Sequence, residues 1–287
     1  MTFPIPAKLA LHCRKTPERT AWLARIPGAV RTLSARWSLT VGPPIDGPQV
    51  SASWVAPATL PDGTTAIFKL GMPHFEADHE LAGLLYWKGD PTARVLASDH
   101  ALNAMLLERC VPGDTLHTLP QQEQDVVIAG LLRRLWRTPS APQPFRPLSS
   151  MLDQWAAETL AAEAHWPDAA LVREGLHLFT QLSRGAPTDV LLVTDLHAGN
   201  VLRAQRQPWL VIDPKPFIGD PAYDVTQHLF NCESRLRANP RDLIHRIAGL
   251  LELDRERVHL WTFAREAAEP RNPWRPDSLD LARALAP

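Results

Sequence analysis

Leu191-Leu192-Val193-Thr194-Asp195-Leu196-His197-Ala198-Gly199-Asn200-Val201-Leu202-Arg203, taken with Trp209-Leu210-Val211-Ile212-Asp213-Pro214-Lys215, decides how this chain is read. Val201–Leu202 and Trp209–Ile212 are apolar runs separated by the polar Arg203–Pro208, a pattern that predicts an antiparallel hairpin. Asn200 precedes the first strand and Asp213 follows the second, so the hairpin brings both to its open end. An amide oxygen and a carboxylate oxygen are hard ligands, suited to Mg²⁺ rather than to a softer metal. Asp195, on the same loop as Asn200, adds a positioned carboxylate beside an ion that could hold phosphates. Taken singly, Asp195, Asn200 and Asp213 are ordinary turn residues; their chemistry lies in the combination.

The surroundings bound the answer. The chain has 287 residues, 45% hydrophobic and 21% charged, with a formal net charge of −1. That length predicts two domains or one large bilobal one. The near-neutral charge argues against a general nucleic-acid binder. No apolar run reaches the roughly 18 residues needed to span a bilayer, and no signal-peptide pattern is visible, so a membrane partner is not expected. Cys13, Cys110 and Cys232 are spaced too widely for a zinc site or a redox pair, and a cytoplasmic location is expected.

Periodicity predicts a small β-rich lobe over residues 1–110 and a mainly helical lobe over 111–287, an α+β arrangement. In the first, helices are expected at Pro17–Ala24 and Val30–Trp37, and strands at Ser38–Val41, Val50–Val55 and Thr65–Leu70. A helix at His74–Trp87 and strands at Arg94–Ala97 and Ala104–Glu108 complete it. In the second, helices are expected at Glu123–Arg137, Ser150–His165, Asp168–Arg184, Pro221–Asn231, Arg241–Leu251 and Arg255–Glu266, interrupted by the strand-rich insert Val190–Asp213. Trp87, Trp136, Trp155 and Trp261 fall at helical spacing and read as core.

Asp-x-x-x-x-Asn, then a hairpin ending apolar-Asp, matches the catalytic and metal loops of kinases in residue type, spacing and context. Together with Gly219-Asp220-Pro221-Ala222-Tyr223-Asp224-Val225, Leu106-Leu107-Glu108-Arg109-Cys110-Val111-Pro112-Gly113 and Leu39-Thr40-Val41-Gly42, the sequence resembles the aminoglycoside phosphotransferase superfamily, closest to the streptomycin 6-kinase and hydroxyurea phosphotransferase family. Val193-Thr194 departs from that family, which usually has His-Gly immediately before the catalytic Asp.

The resemblance implies a bilobal protein-kinase-like fold and an ATP- and Mg²⁺-dependent enzyme. It would transfer the γ-phosphoryl group to a hydroxyl of a small molecule, an aminoglycoside such as streptomycin, in antibiotic-resistance fashion. Asp195 would accept or orient the hydroxyl proton, and Asn200 and Asp213 would hold the metal. Lys69 ends Ala66-Ile67-Phe68-Lys69, close to the Val-Ala-Ile-Lys form of kinases, and would reach the ATP phosphates. Of its two candidate carboxylate partners, Glu80 borders the apolar stripe of the next helix and is preferred to Glu76. Gly42 lies in a loop that would cover phosphates. Glu108, Arg109 and Val111 fall in the hinge that would pair with adenine through main-chain groups, and Asp224 would tie down the catalytic-loop backbone. Lys215 is open between a phosphate or substrate contact and a solvated side chain. Two alternatives stand beside the antibiotic kinase: a metabolite kinase of the same fold, and a nucleotide-binding regulatory module without catalysis.

Overall fold

The computed structural model describes residues 3–47, 52–271 and 273–287. They divide into two compact units, Met1–Gly113 with Arg203–Ile212, and Asp114–Leu202 with Asp213–Pro287. A linear division at 110/111 omits the return of Arg203–Ile212 to the first unit.

In chain order the first unit opens with helices α1 (Ala7–Cys13) and α2 (Pro17–Arg36), then strands β1 (Thr40–Val41), β2 (Ser53–Thr59) and β3 (Thr65–Gly71). Helix α3 (Glu80–Trp87) and strands β4 (Val95–Asp99) and β5 (Ala104–Glu108) follow. The strands form one antiparallel sheet in the order β1-β2-β3-β5-β4, with Lys69 opposite Val55 on one side and Met105 on the other. Alternation along β3 decides what each residue meets. Phe68 and Leu70 enter a core with Trp22, Ile26, Val30 and Leu33 of α2 and with Trp54. Ile67 packs on the opposite face against Leu81 and Leu84 of α3, and Lys69 shares that parity.

Two short helices were expected where α2 runs unbroken through Pro27. Its buried residues Trp22, Ile26, Val30 and Leu33 form one stripe across the proline, and their burial outweighs the local propensity to break. The predicted helix from His74 begins instead as a 3-10 turn, Phe75–Ala77, and becomes regular at Glu80. The strand expected from Val50 begins within the described residues at Ser53; Pro48, Val50 and Ser51 lie outside them, as does Asn272.

The second unit contains α4 (Gln121–Leu135), α5 (Leu148–Ala161), α6 (Ala169–Arg184), strand β6 (Val190–Leu192) and the strand β7 (Val201–Arg203), whose last residue is already counted with the first unit. Strand β8 (Trp209–Val211) pairs with β7 in a two-stranded sheet, giving the expected hairpin. Strand β9 (Phe217–Gly219) then pairs antiparallel with β6. Helices α7 (Pro221–Asn231), α8 (Glu233–Ala238), α9 (Pro240–Leu251), α10 (Arg255–Ala268) and α11 (Asp280–Leu285) complete the unit. Neither β9 nor the short α8 and α11 was expected; three to six residues carry too little periodicity to be seen. Helix α10 is central. Gly175 of α6 lies so close to it that an added Cβ would meet Ala267 and Ala268 Cβ at 2.9 Å. Among the described residues no helix is long and apolar enough to cross a membrane.

Candidate active site

Strand β6 delivers the chain into the loop 193–200, and helix α7 fastens it there. Asp224, 1% exposed, accepts hydrogen bonds from the main-chain N–H of Val193 (2.9 Å) and Thr194 (2.6 Å) and from Trp136 Nε1 (2.9 Å). Burial pushes the Asp224 carboxyl up, while the three donors and Arg265 act in the opposite direction. Trp136, expected to be core filler, thus has a polar task as well. Thr194, which stands where the resembling family has a different residue, is tied too: its hydroxyl donates to the Lys215 carbonyl at 2.6 Å, and Lys215 N–H donates to the Val193 carbonyl at 2.9 Å. The loop is held although the usual His is missing. Thr194 (φ 49°) and Asp213 (φ 55°) both occupy the left-handed region, a conformation that costs about 1–3 kcal/mol each and tends to persist at functional sites.

Asp195 follows directly and is met from several directions. Gln227 Nε2 donates to its Oδ1 at 2.8 Å, and Lys215 Nζ lies 3.0 Å from its Oδ2. His197 Nε2 is 3.9 Å from Oδ1, and its Nδ1 accepts the Gly199 N–H at 3.1 Å, which fixes the ring. Burial lowers the His197 pKa, against the pull of Asp195 and Asp213, so both carboxylates lie within electrostatic reach of one imidazole. Asn200 Nδ2 donates to the Asp195 carbonyl at 3.0 Å. That contact takes the amide's donor side and leaves Oδ1 as its ligand atom. An amide oxygen such as Asn200 Oδ1 and a carboxylate such as that of Asp213 are the kinds of oxygen ligand that a hard divalent cation takes.

Gln227 is itself oriented. Its Oε1 accepts from Arg265 Nη2 at 3.2 Å; Arg265 also donates to Thr226 Oγ1 at 2.7 Å and pairs with Glu269 at 2.9 Å. The guanidinium lies 5.1–5.4 Å from the ring centres of Phe230, Tyr223 and Trp155. Burial opposes its charge, but Glu269, Tyr223 and the more distant Asp195 hold its pKa above the ordinary arginine value. A cavity of about 340 Å³ opens beside Gln227, bordered by Arg265, Glu266, Glu269 and Arg271. Its charges are paired, with Arg271 to Glu266 at 2.8 Å and Arg237 to Glu233 at 2.8 Å. Sequence reading missed Gln227 and Arg265. The available signal was that Gln227 lies three residues after Asp224 on one helix, so both address the same loop.

In the first unit Lys69 Nζ lies 2.5 Å from Glu80 Oε1, with side chains 8% and 5% exposed. Glu76 sits in the preceding 3-10 turn. Gly42 donates its N–H to the Pro57 carbonyl at 2.9 Å, and an added Cβ there would meet Pro57 Cγ at 3.0 Å. Its amide is thus used within the fold, which favours close chain approach as the reason for the glycine over a phosphate-binding N–H. The Glu108 side chain is structural: Arg206 donates to it through Nε (3.0 Å) and Nη2 (2.8 Å), and Arg94 N–H donates at 3.1 Å. Burial alone would raise this carboxyl, and Arg206 holds it below the usual range. Arg206 also donates to the carbonyls of Gly89 (2.8 Å) and Thr92 (3.0 Å). Sequence reading saw only a polar turn there. Arg109 and Val111 are exposed on either side of buried Cys110.

Asp125, His228 and Cys232 form a second buried cluster, with ligand atoms within 4.8 Å of one another. It is an ion-pair node rather than a metal site. The Asp125 carboxylate already receives His228 Nε2 at 2.9 Å, Arg235 at 2.8 Å and Arg246 at 2.7 Å, and two guanidinium groups repel a cation.

The architecture is that of small-molecule kinases. It is similar to the choline kinase LicA from Streptococcus pneumoniae, with a TM-score of 0.58 at 13% identity over 83% of this chain and 87% of that one. Residues 36–270 match the model of the aminoglycoside/hydroxyurea antibiotic resistance kinases, and the chain belongs to that family. It is 36% identical to a streptomycin 6-kinase of Streptomyces glaucescens over 91% of this chain and 88% of that enzyme. It is also 36% identical to a hydroxyurea phosphotransferase of Kitasatospora aureofaciens over 84% and 71%.

Proposed function

We propose that this protein transfers the γ-phosphoryl group of ATP to a hydroxyl of an aminoglycoside, with streptomycin the first substrate to test. The arrangement around Asp195 carries the reading: a carboxylate fixed through Gln227, Lys215 and the Asp224-anchored backbone, with Asn200 hydrogen-bonded to its main-chain carbonyl. Phosphoryl transfer proceeds through a loose transition state, so an enzyme gains most from positioning and charge neutralisation.

Asp195 orients the acceptor hydroxyl and receives its proton as the new P–O bond forms. Lys215 places a cation beside that carboxylate, where negative charge is being redistributed. Asn200 and Asp213 would hold Mg²⁺, which when bound neutralises charge on the phosphates. Lys69, kept in place by Glu80, would meet the nucleotide phosphates. Arg109 and Val111, exposed on either side of buried Cys110, would offer their main-chain groups to the adenine edge, while the Glu108 side chain supports that segment through Arg206.

The test is ATP turnover with streptomycin, other aminoglycosides, hydroxyurea and choline as acceptors, with the product identified by mass. Asp195→Asn is expected to bind nucleotide as the parent does and to lower transfer by about 100-fold or more. Undiminished transfer by that variant would overturn the role of Asp195. Turnover of choline alone would move the substrate class to metabolites.

A further inference from the structure

A side-chain amide can present either its oxygen or its nitrogen, and its neighbours decide which. Arg265 has donors only, so the Gln227 atom facing it must be Oε1, and Nε2 is turned toward Asp195 Oδ1 at 2.8 Å. Arg265 in turn has little freedom. It is 5% exposed, ringed by Trp155, Tyr223 and Phe230, and tied to Thr226 and Glu269; the Thr226 hydroxyl is committed to the Tyr223 carbonyl at 2.6 Å.

We infer that Gln227 is a positioning residue for Asp195, locked as a donor by the buried Arg265, so that Oδ1 is fixed and Oδ2, which Lys215 also faces, presents its remaining lone pair to the acceptor hydroxyl. Lys215, the other close partner, holds Oδ2 from the end of a flexible chain and cannot alone set the rotation of the carboxylate plane. Gln227 does so because its own amide plane is set from behind. This inference rests on the reading of Asp195 as the group that receives the proton.

Two substitutions separate positioning from a packing role. Gln227→Met keeps length and removes the amide. Gln227→Glu keeps an acceptor for Arg265, and a better one, yet points a carboxylate oxygen at Asp195 Oδ1. If Gln227 serves only to satisfy Arg265, the Glu variant should match or exceed the Met variant. If it positions Asp195, kcat should fall about 10-fold or more for Met and further for Glu, because a displacement of about 1 Å can cost 100-fold. KM for ATP and for streptomycin should stay within about two-fold of the parent in both, since Gln227 acts on the step rather than on binding. Thermal midpoints are recorded alongside, and a Met variant that fails to fold leaves the Glu variant as the deciding measurement. A Glu variant with kcat at or above that of the Met variant, or near the parent, overturns the inference, as does a loss carried by KM alone. If Asp195→Asn is inactive while Gln227→Glu is unimpaired, only the positioning role falls. If Asp195→Asn remains active, the reading beneath it falls first.

Discussion

Replacing Asp224 by Ala tests the physical basis of the catalytic loop. The carboxylate is buried and receives three donors, two from consecutive main-chain N–H groups and one from an indole. Each donor left unpaired inside the protein costs about 1–3 kcal/mol. Three of them bring the gross loss to roughly 3–9 kcal/mol on that scale. The substitution also relieves the cost of burying a charge, a cost visible in the upward push on this carboxyl, so a net loss of about 3–5 kcal/mol is expected. A unit of this size loses about 2–4 °C in Tm per kcal/mol, so the transition should move down by about 10 °C. Scanning calorimetry reads it, and Asp224→Asn, which keeps one acceptor oxygen, should fall between. Thr194 immediately precedes Asp195, so freeing its N–H displaces the catalytic carboxylate, and kcat should drop about 100-fold even at temperatures where the variant is folded. A Tm within about 2 °C of the parent would refute the account of Asp224 as the anchor of the loop.

Glu80→Ala is expected to strand Lys69 in a site where both side chains are almost wholly buried, costing about 3 kcal/mol in urea unfolding and raising KM for ATP while KM for the acceptor stays unchanged. An unaltered KM for ATP would detach Lys69 from the nucleotide. Stability should also depend on pH through Asp125 and His228. Burial alone would depress the His228 imidazolium, but its hydrogen bond to Asp125 prevails and pushes it up to about 9. Burial would raise the Asp125 carboxyl, and His228, Arg235 and Arg246 hold it well below the usual range. The imidazolium contribution is complete below the unfolded value of about 6.5 and is lost as pH rises through about 9; the carboxylate contribution is present above about 4 and disappears in stronger acid. Tm should therefore be higher at pH 6 than at pH 9, by an amount reflecting about 3 kcal/mol, and His228→Gln should flatten the alkaline side. Equal parent midpoints at the two pH values would contradict this.

What could be read in the sequence was whatever local spacing encodes. Asp195 and Asn200 belong to one loop, and Lys69, found by its Ala-Ile-Phe-Lys run, could be matched to Glu80 because the apolar stripe that Glu80 borders on the next helix is a periodic signal. The unbroken α2 was not legible, since Pro27 and Gly28 speak for a break and only the buried stripe on either side overrules them. Gln227, Arg265 and Arg206 were invisible for another reason, and the same reason hid the polar task of Trp136, which reads as core. Each acts on a partner far away in the chain, and Gln and Arg are types common on helix surfaces and turns. Thr194 shows the reverse: its departure from the expected pattern was plain, but that its hydroxyl would reach the Lys215 carbonyl depends on the path taken by the chain after Asp213.

The turn between β7 and β8 carries an obligation for assembly. Arg206 supplies the counter-charge for Glu108 and caps the carbonyls of Gly89 and Thr92, and Val211 exchanges main-chain hydrogen bonds with Pro91 and Ala93 at 2.9 Å. As the polypeptide leaves the ribosome, the N-terminal sheet can form early, but its far corner stays unfinished until α4, α5 and α6 of the helical unit have been made and Arg203–Ile212 has followed them. The β-rich unit is thus completed by a late-arriving piece of its own chain, and the two units cannot mature strictly one after the other.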